Sequence, residues 1–334
     1  MSNPVVAEAL RGGRIESFHS GAGAVVDSAG RVVFAFGDVE RPIYPRSAVK
    51  ALQALPLVES GAADRLRLSG AEIALACASH SGEEKHVATA SAMLKKAGRD
   101  ESALECGVHW PASDAAARAL ARNGASPSQL HNNCSGKHAG FICLACAQGI
   151  DSMRYIAPNH PVQREVAAAL ADMTGAKVGE ENRGVDGCSI PTYAIPLRAL
   201  AHGFARFGTG EGLSESRALA AARIRKTVAA HPDMVGGAGR FDTEVMTILG
   251  SRAFVKSGAE GVLCAALPEK GVGLAVKAED GAGRAAGVML AALLRRFGEF
   301  DASQDAELDP FVAPTLRNWN GFEVGVLRPA GPLA

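Results

Sequence analysis

Charge of one sign is the first thing the chain lacks: 35 Lys and Arg balance 35 Asp and Glu, a formal net charge of zero. Without a basic excess, nothing draws the surface to a phosphate backbone or an anionic membrane, so neither is an expected partner. Long apolar runs are missing too. No window approaches the roughly eighteen uncharged apolar residues of a membrane span, and the opening MSNPVVAEALRGGR has no basic segment followed by an apolar one. The expectation is a soluble, cytoplasmic protein. Internal repeats, low-complexity tracts and long linkers are also absent. Seven cysteines make an odd set in a chain too long to depend on staples, and free thiols are expected.

What is present is ample apolar material, 47% of 334 residues, in a readable order. AGAVVDSAGRVVFAF, residues 22–36, sets two β-rich runs about the turn Asp27-Ser28-Ala29-Gly30 and predicts a hairpin. The middle is helical. Ser69 and Glu72, and Ser81 and Glu84, read as capping boxes, the second opening a helix through Lys96. Ser113 starts another helix, Pro161 to Gly175 frames a third, and residues 213–232 form a fourth. Strand-like runs return at 252–255, 262–267 and 273–277 before a helix from Ala282 to Phe297; the polar stretch 299–310 reads as a solvated loop. A lone hairpin is marginal, so the N-terminal and C-terminal strands are expected to share one antiparallel sheet covered by helices, an α/β (α+β) fold. A single unit results, with a sheet part near 1–70 and 250–334 and an inserted, mostly helical part near 71–249.

Ser47-Ala48-Val49-Lys50 is an S-x-x-K whose i,i+3 spacing puts hydroxyl and amine on one helix face. With 22 Ser and 10 Lys, about 0.7 such matches arise by chance, so the motif alone says little. Lys256-Ser257-Gly258 follows an apolar run and resembles the K-T-G of serine β-lactamases and penicillin-binding proteins. Between them lies Ala78-Ser79-His80-Ser81, where those enzymes carry S-x-N. Two Gly-flanked polar islands follow, residues 131–140 and 184–191. Cys134 and Cys188 there are soft donors suited to zinc, with His138 the third ligand by spacing, or else small buried hydrophobes. Cys143 and Cys146 form a C-x-x-C inside an apolar run and read as core.

The blocks Arg46 to Lys50, Cys77 to Ser81, Asn133-Cys134-Ser135-Gly136-Lys137-His138 and Asp186-Gly187-Cys188 resemble, in order and separation, the rhizobial-type (class 3) L-asparaginases. His160-Pro161, residues 231–235 and residues 276–281 extend the likeness over nearly the whole chain. The resemblance implies a serine β-lactamase-like fold, a homodimer, and hydrolysis of asparagine to aspartate and ammonia. It also implies two Ser–Lys pairs, Ser47 with Lys50 and Ser79 with Lys256, and one zinc held by Cys134, Lys137 and Cys188, displacing His138 as a ligand. Arg46 for the substrate carboxylate, Asp186 for its ammonium, and His80, Asn133 and His138 nearby complete the expected contacts.

A lysine activates a serine only when neutral, which at an ordinary value near 10.4 is rare at pH 7. Two lysines in one pocket are expected to depress each other. Ser47 is then the acylated nucleophile and Ser79 with Lys256 a relay, or Ser79 attacks. The competing readings are a penicillin-recognising hydrolase or D,D-peptidase, and a non-catalytic zinc- or amino-acid-binding protein.

Overall fold

Both ends of the chain feed one antiparallel sheet in the computed structural model, which describes residues 2–334. Its strands are β1 (Val5–Arg11), β2 (Arg14–Asp27), β3 (Val32–Phe36), β4 (Phe254–Ser257), β5 (Val262–Leu267), β6 (Val272–Ala278), β7 (Thr315–Arg317) and β8 (Glu323–Pro329). They lie in the order β7-β8-β1-β2-β6-β5-β4, with β3 beside β2. The expected junction of the two termini is β2 against β6, from Val272 opposite Asp27 to Ala278 opposite Gly21.

The β2–β3 hairpin turns where its sequence says: the Asp27 carboxylate accepts from the backbone N–H of Ala29 and Arg31. Strand β1 lies outside the predicted elements. It joins β2 through Gly12 and Gly13, at φ +53° and +78°, as a two-residue hairpin loop requires.

Seven helices frame the site: α1 (Lys50–Gln53), α2 (Gly70–Ala76), α3 (Glu84–Lys96), α4 (Ser135–Ala147), α5 (Leu197–Thr209), α6 (Phe241–Leu249) and α7 (Gly283–Phe297). Helices Asp114–Arg122, Pro161–Thr174 and Glu215–Ala230 fall where their caps predict. The sheet is buried from both sides. Ala201 of α5 abuts Gly273, while Met289 of α7 abuts Gly21, the partner of Ala278. Positions 273 and 278 differ by an odd number, so the two helices cover opposite faces.

Two local expectations need correction. Ser69 and Glu72 form their capping box, but Ser81 does not cap α3. Glu83 holds that position, because the Ser81 hydroxyl donates instead to the buried Gly236 carbonyl at 2.7 Å. The stretch 299–310 is no loop either: Ala302–Glu307 is helical, started by Asp301 and Gln304 as a capping box that its polar composition hid.

Close backbone approaches place the site. A Cβ at Gly136 would stand 2.3 Å from the Leu75 carbonyl oxygen, so α4 and α2 touch main chain to main chain. The segments leaving α2 and entering α4 therefore meet, and His80 N–H donates to the Asn133 carbonyl at 3.2 Å. A Cβ at Gly258 would stand 2.6 Å from the Pro45 carbonyl oxygen, which presses the end of β4 against the turn before α1. All seven cysteines are free, with Cys143 in the core and Cys146 partly buried within α4.

Candidate active site

Lys50 opens α1 fully buried, and its amine is bonded to groups from two segments, 78–79 and 133–134. Nζ donates to the Ala78 carbonyl at 2.5 Å, Ser79 Oγ at 3.0 Å, Cys134 Sγ at 3.1 Å and, more weakly, the Asn133 carbonyl at 3.5 Å. None of these acceptors is a carboxylate. Burial therefore dominates and pushes Lys50 down to about 8, helped by the charges of Lys137 and Lys256 and opposed by Cys134 and Cys188. Mutual depression by two lysines is thus a minor part of the effect. Lys137 outranks Lys256 as the repelling charge.

The serines pair differently from their motif spacing. Ser47 lies in the turn Arg46–Val49, half-buried, and its hydroxyl has no hydrogen-bond partner among the described residues. The S-x-x-K lysine reaches Ser79 instead, because the tight turn at 46–49 precedes α1 and directs Nζ toward the α2–α4 junction. Ser79 is held there by its N–H on the Val235 carbonyl at 2.9 Å. Arg46 has a left-handed backbone at φ +51°, a strained state for a residue with a side chain.

Lys256, on β4, is as buried as Lys50 but ends in an ion pair: Nζ lies 3.1 Å from Asp242 Oδ2 and 2.7 Å from the Ser257 carbonyl. No hydrogen bond joins it to Ser79 among the described residues. Asp242 sits in the first turn of α6, and the sequence reading did not find it. Burial works to raise its carboxyl, but the Lys256 charge and the bonds from Ser257 and Lys256 hold it below the ordinary carboxylate range. The spacing 242 to 256 is no motif; only the packing of α6 on β4 brings the two together.

Cys134 and Cys188 meet beside Lys50 and Lys137. Lys137 Nζ donates to Cys188 Sγ at 3.1 Å, while Lys50 donates to Cys134. Cys134 is drawn well below its ordinary range, first by a hydrogen bond from Cys188 and then, against burial, by Lys137 and Lys50. Donating that bond, together with burial, raises Cys188. Burial opposes the charge on Lys137, yet Cys134, Cys188 and Asp186 outweigh it and raise that amine. The two soft sulfurs converging in a buried spot suit a thiophilic metal, and the Lys137 amine would join them only after giving up its proton. No group of three or more His, Cys, Asp or Glu side chains disposed around a metal occurs among the described residues.

Arg46 and Asp186, expected to receive opposite ends of a zwitterion, contact each other at 2.5 Å. Burial pushes the Asp186 carboxyl up, but Lys137 and Arg46 overcome it and the net direction is down. His80 has both ring nitrogens engaged, by Gly82 N–H and Ser135 Oγ, and stacks on His86. His138 Nδ1 shares a hydrogen bond with the Tyr155 hydroxyl at 2.6 Å, and its buried Nε2 has no partner. Burial, then Lys137 and Lys50, lower His138 well below the ordinary imidazole value and favour its neutral form. Asn133 Oδ1 lies 3.2 Å from Cys134 Sγ.

A serine hydroxyl on a depressed, buried lysine is equipment for hydrolysis, and the fold that holds it is a helix-covered antiparallel sheet. The family model for L-asparaginase II matches residues 7–329, and the chain belongs to that hydrolase family. No curated protein matches the chain. Similar solved structures include a β-lactamase from Mycobacterium bovis, 17% identical over 84% of this chain and 95% of that one, with TM-score 0.42. A mutant simvastatin synthase from Aspergillus terreus is 15% identical over 77% of this chain and 86% of its own, with TM-score 0.37.

Proposed function

We propose that the protein hydrolyses L-asparagine to L-aspartate and ammonia through a serine acyl-enzyme. The observation that carries this reading, with the family, is Lys50 Nζ at 3.0 Å from Ser79 Oγ, buried and pushed down to about 8. A base in that range is half neutral near pH 8 and matched to its task.

In the proposed reaction Lys50 takes the Ser79 proton as Oγ attacks the side-chain amide carbon. The C–N bond breaks, ammonia leaves with a proton from the Lys256 ammonium, and an aspartyl ester remains. Water then gives its proton to the now neutral Lys256 and attacks the ester carbon, Ser79 Oγ leaves with the proton held on Lys50, and aspartate is released with both lysines restored. Ser47 is the rival for acylation. Arg46 and Asp186 already hold two opposite charges at the turn before α1, and the substrate carboxylate and ammonium exchange partners with them. Cys134, Lys137 and Cys188 would hold a zinc ion, which when bound supplies positive charge for orienting the substrate. A cytoplasmic homodimer belongs to the same reading.

Ammonia release from asparagine and from glutamine tests it. Asparagine should be preferred at least tenfold, since one misplaced methylene costs about 1 to 3 kcal/mol in a fitted pocket. Mass spectrometry of enzyme quenched during turnover should find the aspartyl ester on the peptide containing Ser79; finding it on Ser47 reverses the two serines, and no turnover of either amide rejects the reading.

A further inference from the structure

Asp242 spends every hydrogen bond of its carboxylate on two consecutive residues of β4. Oδ2 accepts from Lys256 Nζ at 3.1 Å, both oxygens accept from Ser257 N–H at 3.1 and 3.0 Å, and Oδ1 accepts from Ser257 Oγ. None goes to its own helix, although Asp242 lies in the first turn of α6, where orphan N–H groups are within reach and no side chain caps them. The carboxylate is 3% exposed, so its charge is retained only because these donors surround it. A residue placed merely to start α6 would bond the helix.

We propose that Asp242 is a positioning residue of the amide hydrolysis, holding the Lys256 ammonium charged and fixed in aim for the departing ammonia. The inference rests on the reading that Lys256 supplies that proton. Two of the three ammonium donors of Lys256 are taken, by Asp242 and by the Ser257 carbonyl. The third is left for the reacting atoms.

The other titratable groups facing Lys256 do not duplicate Asp242. Lys50, when protonated, carries the same sign of charge as Lys256 and is no counter-ion to it. Cys77, at the end of α2, has its thiol pushed up to about 12 by burial, and Cys264, opposite Lys256 on β5, is likewise raised by burial, so both are neutral at working pH. Asp242 is the one carboxylate bonded to Lys256 among the described residues. The Ser257 hydroxyl locks that carboxylate, which gives the middle residue of the K-S-G run its task.

The experiment is kcat and KM for asparagine against pH in wild type, Asp242→Asn, Asp242→Glu and Lys256→Met, with far-ultraviolet circular dichroism confirming the fold. Asp242→Asn should lower kcat by about 10- to 100-fold, the scale of one misplaced general acid, with KM changed less than about threefold. Asp242→Glu should restore part of the lost kcat. A purely structural carboxylate would change stability and leave kcat in place. Wild-type kcat in Asp242→Asn, alongside a crippled Lys256→Met, overturns the proposal while the asparaginase reading stands. Wild-type enzyme without ammonia release overturns both. If Asp242→Asn does not fold, Ser257→Ala decides: about threefold lower kcat at unchanged KM supports the proposal, and wild-type kcat overturns it.

Discussion

Lys50 and Lys256 are equally shut off from water, yet the chain surrounds them in opposite ways. Around Lys50 are two carbonyls, a hydroxyl and a sulfur; beside Lys256 is a carboxylate. The difference teaches that burial does not by itself decide what a lysine does. Without a counter-ion the amine drifts toward neutrality and becomes a base, whereas with one it remains a buried cation that can give a proton or stabilise charge. Lys137 shows a third outcome, since thiols and Asp186 raise it where burial alone would lower it.

Exchanging each lysine for Met gives the widest test of this contrast. Lys50→Met should lose about 10³-fold or more in kcat, about 4 kcal/mol, because the depressed amine bonded to Ser79 is gone. Lys256→Met should lose about 10²-fold. The order reverses for stability. Lys50→Met removes a costly buried amine and should unfold at the same or higher urea concentration, while Lys256→Met strands the Asp242 carboxylate and should cost about 3 kcal/mol. Equal losses of activity, or a destabilised Lys50→Met beside a neutral Lys256→Met, would break the comparison.

How much of this was legible in the sequence follows from what sets each contact. The β2–β3 hairpin, the Ser69 and Ser113 caps and the Gly175 stop are local matters, decided by residues within four positions of one another, and they were readable. The nearness of 46–50, 77–80, 133–138 and 186–188 came from the resemblance, not from spacing. The partner of each lysine was hidden. The i,i+3 rule suggested Ser47 for Lys50, but it presumes a continuous α-helix and the chain makes a tighter turn there. Asp242 carried no signal, because an acidic residue in the first helical turn is ordinary and its bonds run to a strand fourteen residues later. Strand β1 was missed because its turn, Gly12-Gly13, is flanked by charged residues at the exposed end of the hairpin.

A titration of stability separates the two environments next. Lys50 has a folded value of about 8 against an ordinary 10.5, so the unfolded chain binds more protons between those limits. Stability from this group therefore rises with pH across about 8 to 10.5, by about 3 kcal/mol in total, and is flat below pH 8 where both states are protonated. Comparing urea midpoints of wild type and Lys50→Met at pH 7.5 and 9.5 isolates the term. Wild type should gain about 2 kcal/mol relative to the mutant. A constant difference would mean that Lys50 is not depressed, and the rising limb of kcat near pH 8 should then be missing as well.

The smallest expected effect is a control on what maintains the Lys50 surroundings. Ser69 and Glu72 start α2 with reciprocal bonds, Glu72 N–H to Ser69 Oγ at 3.3 Å and Ser69 N–H to Glu72 Oε2 at 2.6 Å. Ser69→Ala removes the first and should cost about 1 kcal/mol, a fall in Tm of about 1 to 2 °C for a chain of this size. The far end of the helix is fixed independently, by Ser79 N–H on the Val235 carbonyl and His80 N–H on the Asn133 carbonyl. The Ala78 carbonyl that takes the Lys50 amine should therefore stay where it is. Differential scanning calorimetry should record the lower Tm while kcat and the position of its rising limb match wild type. A limb displaced along with Tm would mean that the basicity of Lys50 depends on how firmly α2 is wound, and the contrast with Lys256 would then rest on helix stability instead of on the missing carboxylate.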